Sequence, residues 1–327
     1  MKICLLDNTS FEYSLNDRQS NKLRGAETIL INLYQQLINL KHNVYVFNNC
    51  PTEVNNDKSN WYNIHRSNDF NDIVFDVAIS NADARLFDNI IAKKKFLISY
   101  SIQTLEKFIR KKQLIAHLKH RPTILLLGEY HKSIRSKVTS MFGVKILSLG
   151  VDDIFLNTKL SANIDNNLAI FTSRVDRNSD LLIDIWNNKI QPKNNNFKLL
   201  ITPKIKNNLN PNIIERSLST RANLINDLLK SRIFLVPGHR AELFCLAAEE
   251  ARELCLPIVT LGIGCLSERV DHEKTGFIAK NENEFVNYTI ELFKNDKLWN
   301  QMRSDLIKLR GSVNWINATN NLLKIIS

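Results

Sequence analysis

The chain has 327 residues, 44% hydrophobic and 24% charged, which describes an ordinary soluble globular protein long enough for two domains. Its 44 Lys and Arg against 33 Asp and Glu leave a net charge of +11, which points to an anionic partner (nucleic acid, acidic membrane or phosphorylated substrate) or to drift in a sequence rich in Lys, Asn and Ile. Five scattered cysteines, Cys4, Cys50, Cys245, Cys255 and Cys265, argue against a disulfide framework or a zinc site and for buried thiols in a reducing compartment.

Lys2 to Leu6 reads as a buried strand. MKICLLDNTS turns polar too early for a signal peptide, and no apolar run approaches the ~20 residues of a membrane helix, so a cytoplasmic protein is expected. After a polar stretch, Ile29, Leu30, Leu33, Leu37 and Leu40 recur at helical spacing, and Val44 to Phe47 form a second strand. Strand, helix and strand in that order imply a parallel sheet with a right-handed crossover. The alternation continues with strands at Ile73–Ser80 and Lys95–Tyr100, one basic helix over Gln103–Lys119, a strand at Thr123–Leu127, a basic helix around His131–Met141 and a strand at Val144–Leu149. The polar turn from Gly150 to Asn167 suits a hinge.

A second series follows: LAIFTS, FKLLIT, RIFLVP, PIVT and TGFIA as strands, and SDLLIDIW, ANLINDLLK and Glu284–Phe293 as helices. Within AELFCLAAEEARELCLPIVT, residues 241–260, Cys245, Leu246, Ala247, Ala248, Ala251 and Leu254 line one side of a helix. Asn-rich clusters at 54–60, 163–167 and 193–196 read as surface loops, and SVNWINATNNLLKIIS as a final amphipathic helix. The expected fold is α/β, with two doubly wound Rossmann-like domains facing a cleft. Residues 1–149 form the first, 150–309 the second and 310–327 a C-terminal helix.

Ligands of open parallel sheets sit beyond the carboxyl ends of the strands. Glu242 follows such an end and is expected to start the helix that carries Glu250. Eight helical residues separate two side chains by ~12 Å and ~80°, so the acids would hold separate groups, for which vicinal diols are suited. The competing reading is a first-turn acid favoured by the helix dipole and a solvent-facing Glu250 beside Glu249 and Glu253. Arg174 and Arg177 follow LAIFTS, where they suit a diphosphate or are simply solvated. Gly264, Cys265 and Leu266 precede Ser267, which is placed to cap a helix whose free N–H groups would bind phosphate; a plain turn is the alternative. His131 and His239 have the pKa range of acid–base groups, though a lone loop histidine is more often a bystander.

The order SR…R…DLLIDIW, LVPG…AELFCLAAEEA, PIVTLGIGCLSERV, EKTGFIA resembles glycosyltransferase family 4, retaining enzymes of GT-B architecture. Gly25-Ala26-Glu27 and Ser148-Leu149-Gly150-Val151-Asp152 add to it, and the likeness is strongest over 168–280. The resemblance implies that Glu250 binds a donor ribose, Glu242 the transferred sugar, and Arg174 and Arg177 the diphosphate. It also implies backbone N–H donors at Gly264, Cys265 and Leu266, with Gly25 at the donor phosphate; His239, next to Glu242, is a candidate donor contact from its place in the cleft and not from the resemblance. Departures are the absence of a histidine near Tyr100-Ser101, Asn178 where the family carries Gly, and Cys265 in place of a second Gly.

The function so implied is a retaining, metal-independent hexosyltransferase acting from a nucleotide-diphosphate-sugar onto a glycan or lipid-linked glycan, in polysaccharide biosynthesis. No Asp-x-Asp occurs, so no metal is expected, and the donor is a co-substrate, not a cofactor. The basic helices at Lys107–Lys119 and His131–Lys137 suit peripheral contact with an anionic membrane or are solvated faces. The alternative is a basic nucleic-acid- or glycan-binding GT-B-like protein without transferase activity; an epimerase or phosphorylase on the same fold is a third. No helix-turn-helix, RNP motif or zinc finger supports a specific nucleic acid.

Overall fold

A computed structural model describes residues 1–18, 23–51, 60–65, 72–202, 210–217 and 220–327. The chain divides into two compact units, Met1–Gly150 with Trp315–Ser327, and Val151–Asn314.

In the first unit β1 (Lys2–Leu6) leads to α1 (Gly25–Asn39), β2 (Asn43–Asn48), β3 (Trp61–Asn63), β4 (Val74–Asn81) and β5 (Ile91–Ile98). There follow α2 (Leu105–Arg110), α3 (Leu114–His120), β6 (Thr123–Leu126), α4 (Glu129–Ile134) and β7 (Val144–Ile146). The seven strands form one sheet in the order β3-β2-β1-β4-β5-β6-β7. All pairings are parallel, with Cys4 set between Tyr45 and Ala78. Ile3, Cys4, Leu5 and Leu6 are all buried, as a central strand covered on both faces requires.

Two expected helices are broken. Gln103–Lys119 is α2 and α3, separated at Lys112, whose φ of 54° is left-handed. Gln113 there donates to the Ala82 carbonyl at 3.0 Å, a tertiary contact that overrides the helical pattern. The helix expected over 131–141 ends at Ile134, Arg135 being extended, and only a 3₁₀ turn at Val138–Ser140 follows. Residues 52–59, most of the first Asn-rich cluster, lie outside the described residues.

The second unit contains α5 (Asp153–Leu156), β8 (Leu168–Phe171), α6 (Ser179–Ile185), β9 (Lys198–Ile201), β10 (Ile213–Glu215), α7 (Arg221–Lys230) and β11 (Ile233–Leu235). It continues with α8 (Leu246–Glu253), β12 (Ile258–Thr260), β13 (Gly276–Ile278), α9 (Glu282–Lys294) and α10 (Asp296–Leu309). Its six strands run β10-β9-β8-β11-β12-β13, again all parallel. Val151, at the entry to this unit, bridges Asn314 at the exit, and its N–H donates to the Val313 carbonyl at 3.2 Å.

The last helix, α11 (Trp315–Ile326), packs on α1 in the first unit. Trp315, Ala318, Thr319, Leu322 and Ile326 form its buried stripe at helical spacing. Leu322→Ala should therefore cost the first unit about 2–4 kcal/mol. Hydrogen exchange should quicken in α1, α11 and β1 while β8 to β13 keep their protection.

Candidate functional site

The strand order of the second unit reverses direction between β8 and β11, which are neighbours. The chain leaves β8 for β9 on one side, while β11 leads to β12 on the other. The loops leaving the carboxyl ends of β8 and β11 therefore diverge and leave a crevice between them. Those loops carry Arg174 and Arg177, and His239 and Glu242, respectively.

Local backbone chemistry holds the loops together. Asn178 adopts φ 62°, a left-handed conformation that glycine favours and asparagine tolerates. Its Nδ2 donates to the Gly238 carbonyl at 2.5 Å, tying the first loop to the second. Gly238 and Gly264 have φ of 96° and 79°. A Cβ on Gly238 would lie 2.5 Å from the Ile263 carbonyl oxygen, and one on Gly264 would meet the carbonyl oxygens of His239 and Glu242. Both glycines are thus required by loop-on-loop packing.

Three expectations change here. Glu242 does not start the helix: α8 begins at Leu246, and Cys245 before it has φ 59°, so residues 238–245 are loop and the helical offset between Glu242 and Glu250 does not apply. Buried Leu243, Phe244 and Cys245 pull this loop against the core. Ser267 caps nothing, because Gly264–Glu268 is a short 3₁₀ turn preceded by Ile263. The Cys265 N–H already donates to the Glu242 carbonyl at 3.1 Å, and Gly264, Cys265 and Leu266 are buried. Cys265 is therefore a packing residue, not an open phosphate donor.

Arg177 is the centre of a charge network. Its Nε lies 3.1 Å from Glu242 Oε2 and its Nη1 3.1 Å from Asp176 Oδ2. Arg174 grips the same Asp176 with two bonds, Nε to Oδ1 at 3.0 Å and Nη2 to Oδ2 at 2.9 Å. The Arg177 and Glu242 side chains are only 16% and 19% exposed, against 74% for Arg174, so the inner pair is sheltered and the outer pair is not. Burial raises the Glu242 carboxyl, opposed by Arg177 and, more weakly, Arg174 and His239.

Three glutamates of α8 have different fates. Glu249, 1% exposed, is held by Arg252 and Arg269, each at 2.9 Å. Glu253, equally buried, accepts the Gly311 N–H. Glu250 is half-buried, and its carboxylate has no hydrogen bond or ion pair among the described residues. Burial pushes its carboxyl up to about 7, with Arg221 acting against this and Asp152 adding to it. Arg221 Nη1 and Asp152 Oδ2 pair with each other at 3.1 Å. Arg252 lies three residues from Glu249 on the same helix, but Arg269, the Gly311 N–H that Glu253 takes and the Asp152–Arg221 pair are far apart in sequence and not signalled by spacing.

His239 is partly exposed, and its Nδ1 accepts the Ala241 N–H at 3.1 Å. His131 lies in the first unit, fully buried, its Nδ1 accepting from Leu127 N–H at 3.3 Å and its Nε2 3.2 Å from the Ser101 carbonyl oxygen. Burial holds its pKa at about 4, so it is a neutral structural group. Gly25 also belongs to the first unit, where it opens α1 with an exposed backbone. Glu27 accepts the Arg24 N–H at 3.0 Å beside it.

Residues 158–308, nearly the whole second unit, match the family described as glycosyl transferases group 1. No curated protein sequence matches the chain significantly. Among solved structures, the chain is similar to the Anabaena protein HepE in complex with UDP-glucose, with a TM-score of 0.70 and 13% identity over 100% of this chain and 99% of that one. A glycosyltransferase from Rickettsia africae gives 0.70 and 14% over 99% and 98%. Sucrose-phosphate synthase from Thermosynechococcus elongatus gives 0.68 and 12% over 99% and 98%. At such identities the likeness is one of fold, the two Rossmann-like units of GT-B glycosyltransferases. The resemblance read from the sequence is thus shown at the level of this fold, and the second unit matches the model of this family.

The raised Glu250 carboxyl fixes a stability prediction. Its pKa is about 7 in the folded chain against an ordinary 4.5, so the folded state holds the proton more tightly and stability falls as pH rises through that window. Glu250→Gln should raise the unfolding temperature of the second unit by a few degrees at pH 8 and by almost nothing at pH 4, readable by calorimetry.

Proposed function

We propose that the protein is a retaining, metal-independent hexosyltransferase of glycosyltransferase family 4 type. It takes a sugar from a nucleotide-diphosphate-sugar and delivers it to a glycan or lipid-linked glycan. The observation that carries this reading is the switch-point cluster: two arginines and a sheltered glutamate on the β8 and β11 loops, with an unpaired, half-buried glutamate of raised pKa in α8. The match of residues 158–308 and the UDP-glucose in the similar HepE structure support it.

In this scheme Glu250 accepts hydrogen bonds from the ribose diol, which supply the partners its burial leaves wanting. Arg177 and Arg174 face the diphosphate and stabilise the charge that grows on it as the glycosidic bond breaks. Glu242 binds hydroxyls of the transferred sugar, and the acceptor hydroxyl attacks from the same face with the leaving phosphate as its base. His239 Nε2, Gly264 and Leu266 line the donor, and the first unit serves the acceptor. Fixed guanidinium groups do the work a metal would otherwise do.

UDP-, GDP-, ADP- and dTDP-sugars should separate in a thermal-shift panel. One nucleotide class should stabilise the wild type by several degrees, as a ligand bound at ~100 times its Kd adds ~2.7 kcal/mol. Glu250→Ala should lose most of that shift. Slow donor hydrolysis should accompany binding and should fall at least a hundredfold in Glu242→Gln. No shift with any donor would sink the proposal; a shift without turnover would favour a binding protein.

Peripheral membrane contact is part of the proposal, and a specific observation favours it. Leu105, Ile109, Ile115 and Leu118 are exposed on α2 and α3, Ile115 at 81%. They sit among Lys107, Arg110, Lys111, Lys112 and Lys119. The turn that carries exposed Val138 packs on α2. Apolar side chains among lysines suit the headgroup boundary of an anionic leaflet. No helix among the described residues is long and apolar enough to cross a membrane. Vesicles containing phosphatidylglycerol should pellet the wild type, and Ile109→Glu with Ile115→Glu should weaken this by about tenfold; unchanged pelleting would remove the membrane contact.

A further inference from the structure

Asp176 sits between the two arginines offered above as the diphosphate site. The turn is closed by the Arg177 N–H donating to the Arg174 carbonyl at 2.9 Å, which brings both guanidinium groups to one carboxylate. Arg174 takes both Asp176 oxygens, at 3.0 and 2.9 Å, and Arg177 shares Oδ2 at 3.1 Å. The remaining contact of Arg177 in this network is with Glu242. Two cations and two acids thus neutralise one another in a site meant for an anion.

We propose that Asp176 is a built-in counter-anion that a ligand diphosphate displaces, and that this exchange also draws Arg177 away from Glu242. The carboxylate for the sugar then becomes free only once the diphosphate has docked. This inference rests on the glycosyltransferase reading for the identity of the anion and sugar, but not for the behaviour of the arginines.

The exposures set the order of events. Asp176 and Arg174 are 53% and 74% exposed, so their pair is weak and exchanges readily with a dissolved anion. The Arg177–Glu242 pair is sheltered, so it opens only when a stronger counter-charge reaches Arg177. A pyrophosphate presents one phosphoryl group to each guanidinium, where Asp176 presents one carboxylate to both. Released Glu242 is a desolvated carboxylate, and sugar hydroxyls are the groups that can then satisfy it. Asp176 is therefore a positioning residue: it acts on the ligand through Arg174 and Arg177.

The test is isothermal titration of inorganic pyrophosphate into the full chain. Asp176→Asn should bind it about three- to tenfold more tightly than the wild type, because an internal competitor and a like charge are removed. Asp180→Asn, which removes an acid in the first turn of α6, should change affinity less than twofold. A gain in affinity is something a purely structural aspartate would not produce on removal. Unchanged or weaker binding in Asp176→Asn, an equal gain in Asp180→Asn, or no pyrophosphate binding in either form would overturn the proposal. Should pyrophosphate behave as expected while no nucleotide-sugar binds, the counter-anion stands and the glycosyltransferase reading falls.

Discussion

A carboxylate taken out of water is costly unless hydrogen bonds or a cation replace its hydration. Helix α8 takes that constraint three times within five residues. Glu249 meets it with two guanidinium groups and Glu253 with a backbone N–H from Gly311. Glu250, between them in sequence, is half-buried and has neither, and burial raises its carboxyl to about 7 with Arg221 acting against the shift. The two satisfied acids anchor the helix so that the unsatisfied one is presented from a rigid element. Arg269, one of the partners of Glu249, also lies 4.3 Å over the Phe244 ring, so the same ion pair steadies the loop that bears Glu242.

The crevice beside α8 is a product of topology. Parallel strands β8 and β11 are adjacent, and their connections depart in opposite directions. What turns a topological gap into a charged site is backbone conformation at a few residues. Asn178 and Cys245 are left-handed, and Gly238 and Gly264 let the loops cross at distances no side chain would permit. Asn178 holds the left-handed turn a glycine would make and adds a hydrogen bond from its side-chain amide to the Gly238 carbonyl.

Much of this was legible in the sequence. Strands such as KICLL and LAIF are short apolar runs between turn residues, and their alternation with amphipathic helices dictates parallel sheets. That Arg174, Arg177 and Glu242 share a site was implied by the family resemblance, while the adjacency of β8 and β11 that brings their loops together is seen only in the sheet. Three-residue β3 and β10 carry too little pattern to be read. The breaks at Lys112 and Cys245 are left-handed residues without Gly or Pro, which local propensity does not announce. Glu249, Glu253 and Glu250 look alike in sequence, and only the distant Arg269, Gly311 and Arg221 tell them apart. The role of Asp176 depended likewise on seeing one carboxylate shared by two guanidinium groups.

Under the proposed function, the half-buried and unpaired Glu250 carboxylate takes a ligand diol. The most direct measurement of this is the proton released on donor binding at pH 7, obtained from calorimetry in buffers of differing ionisation enthalpy. With a carboxyl poised at about 7, a donor that takes only the ionised form should expel about half a proton per molecule bound, and Glu250→Gln should abolish the release. Binding with no proton release, or the same release in the glutamine variant, would contradict the account.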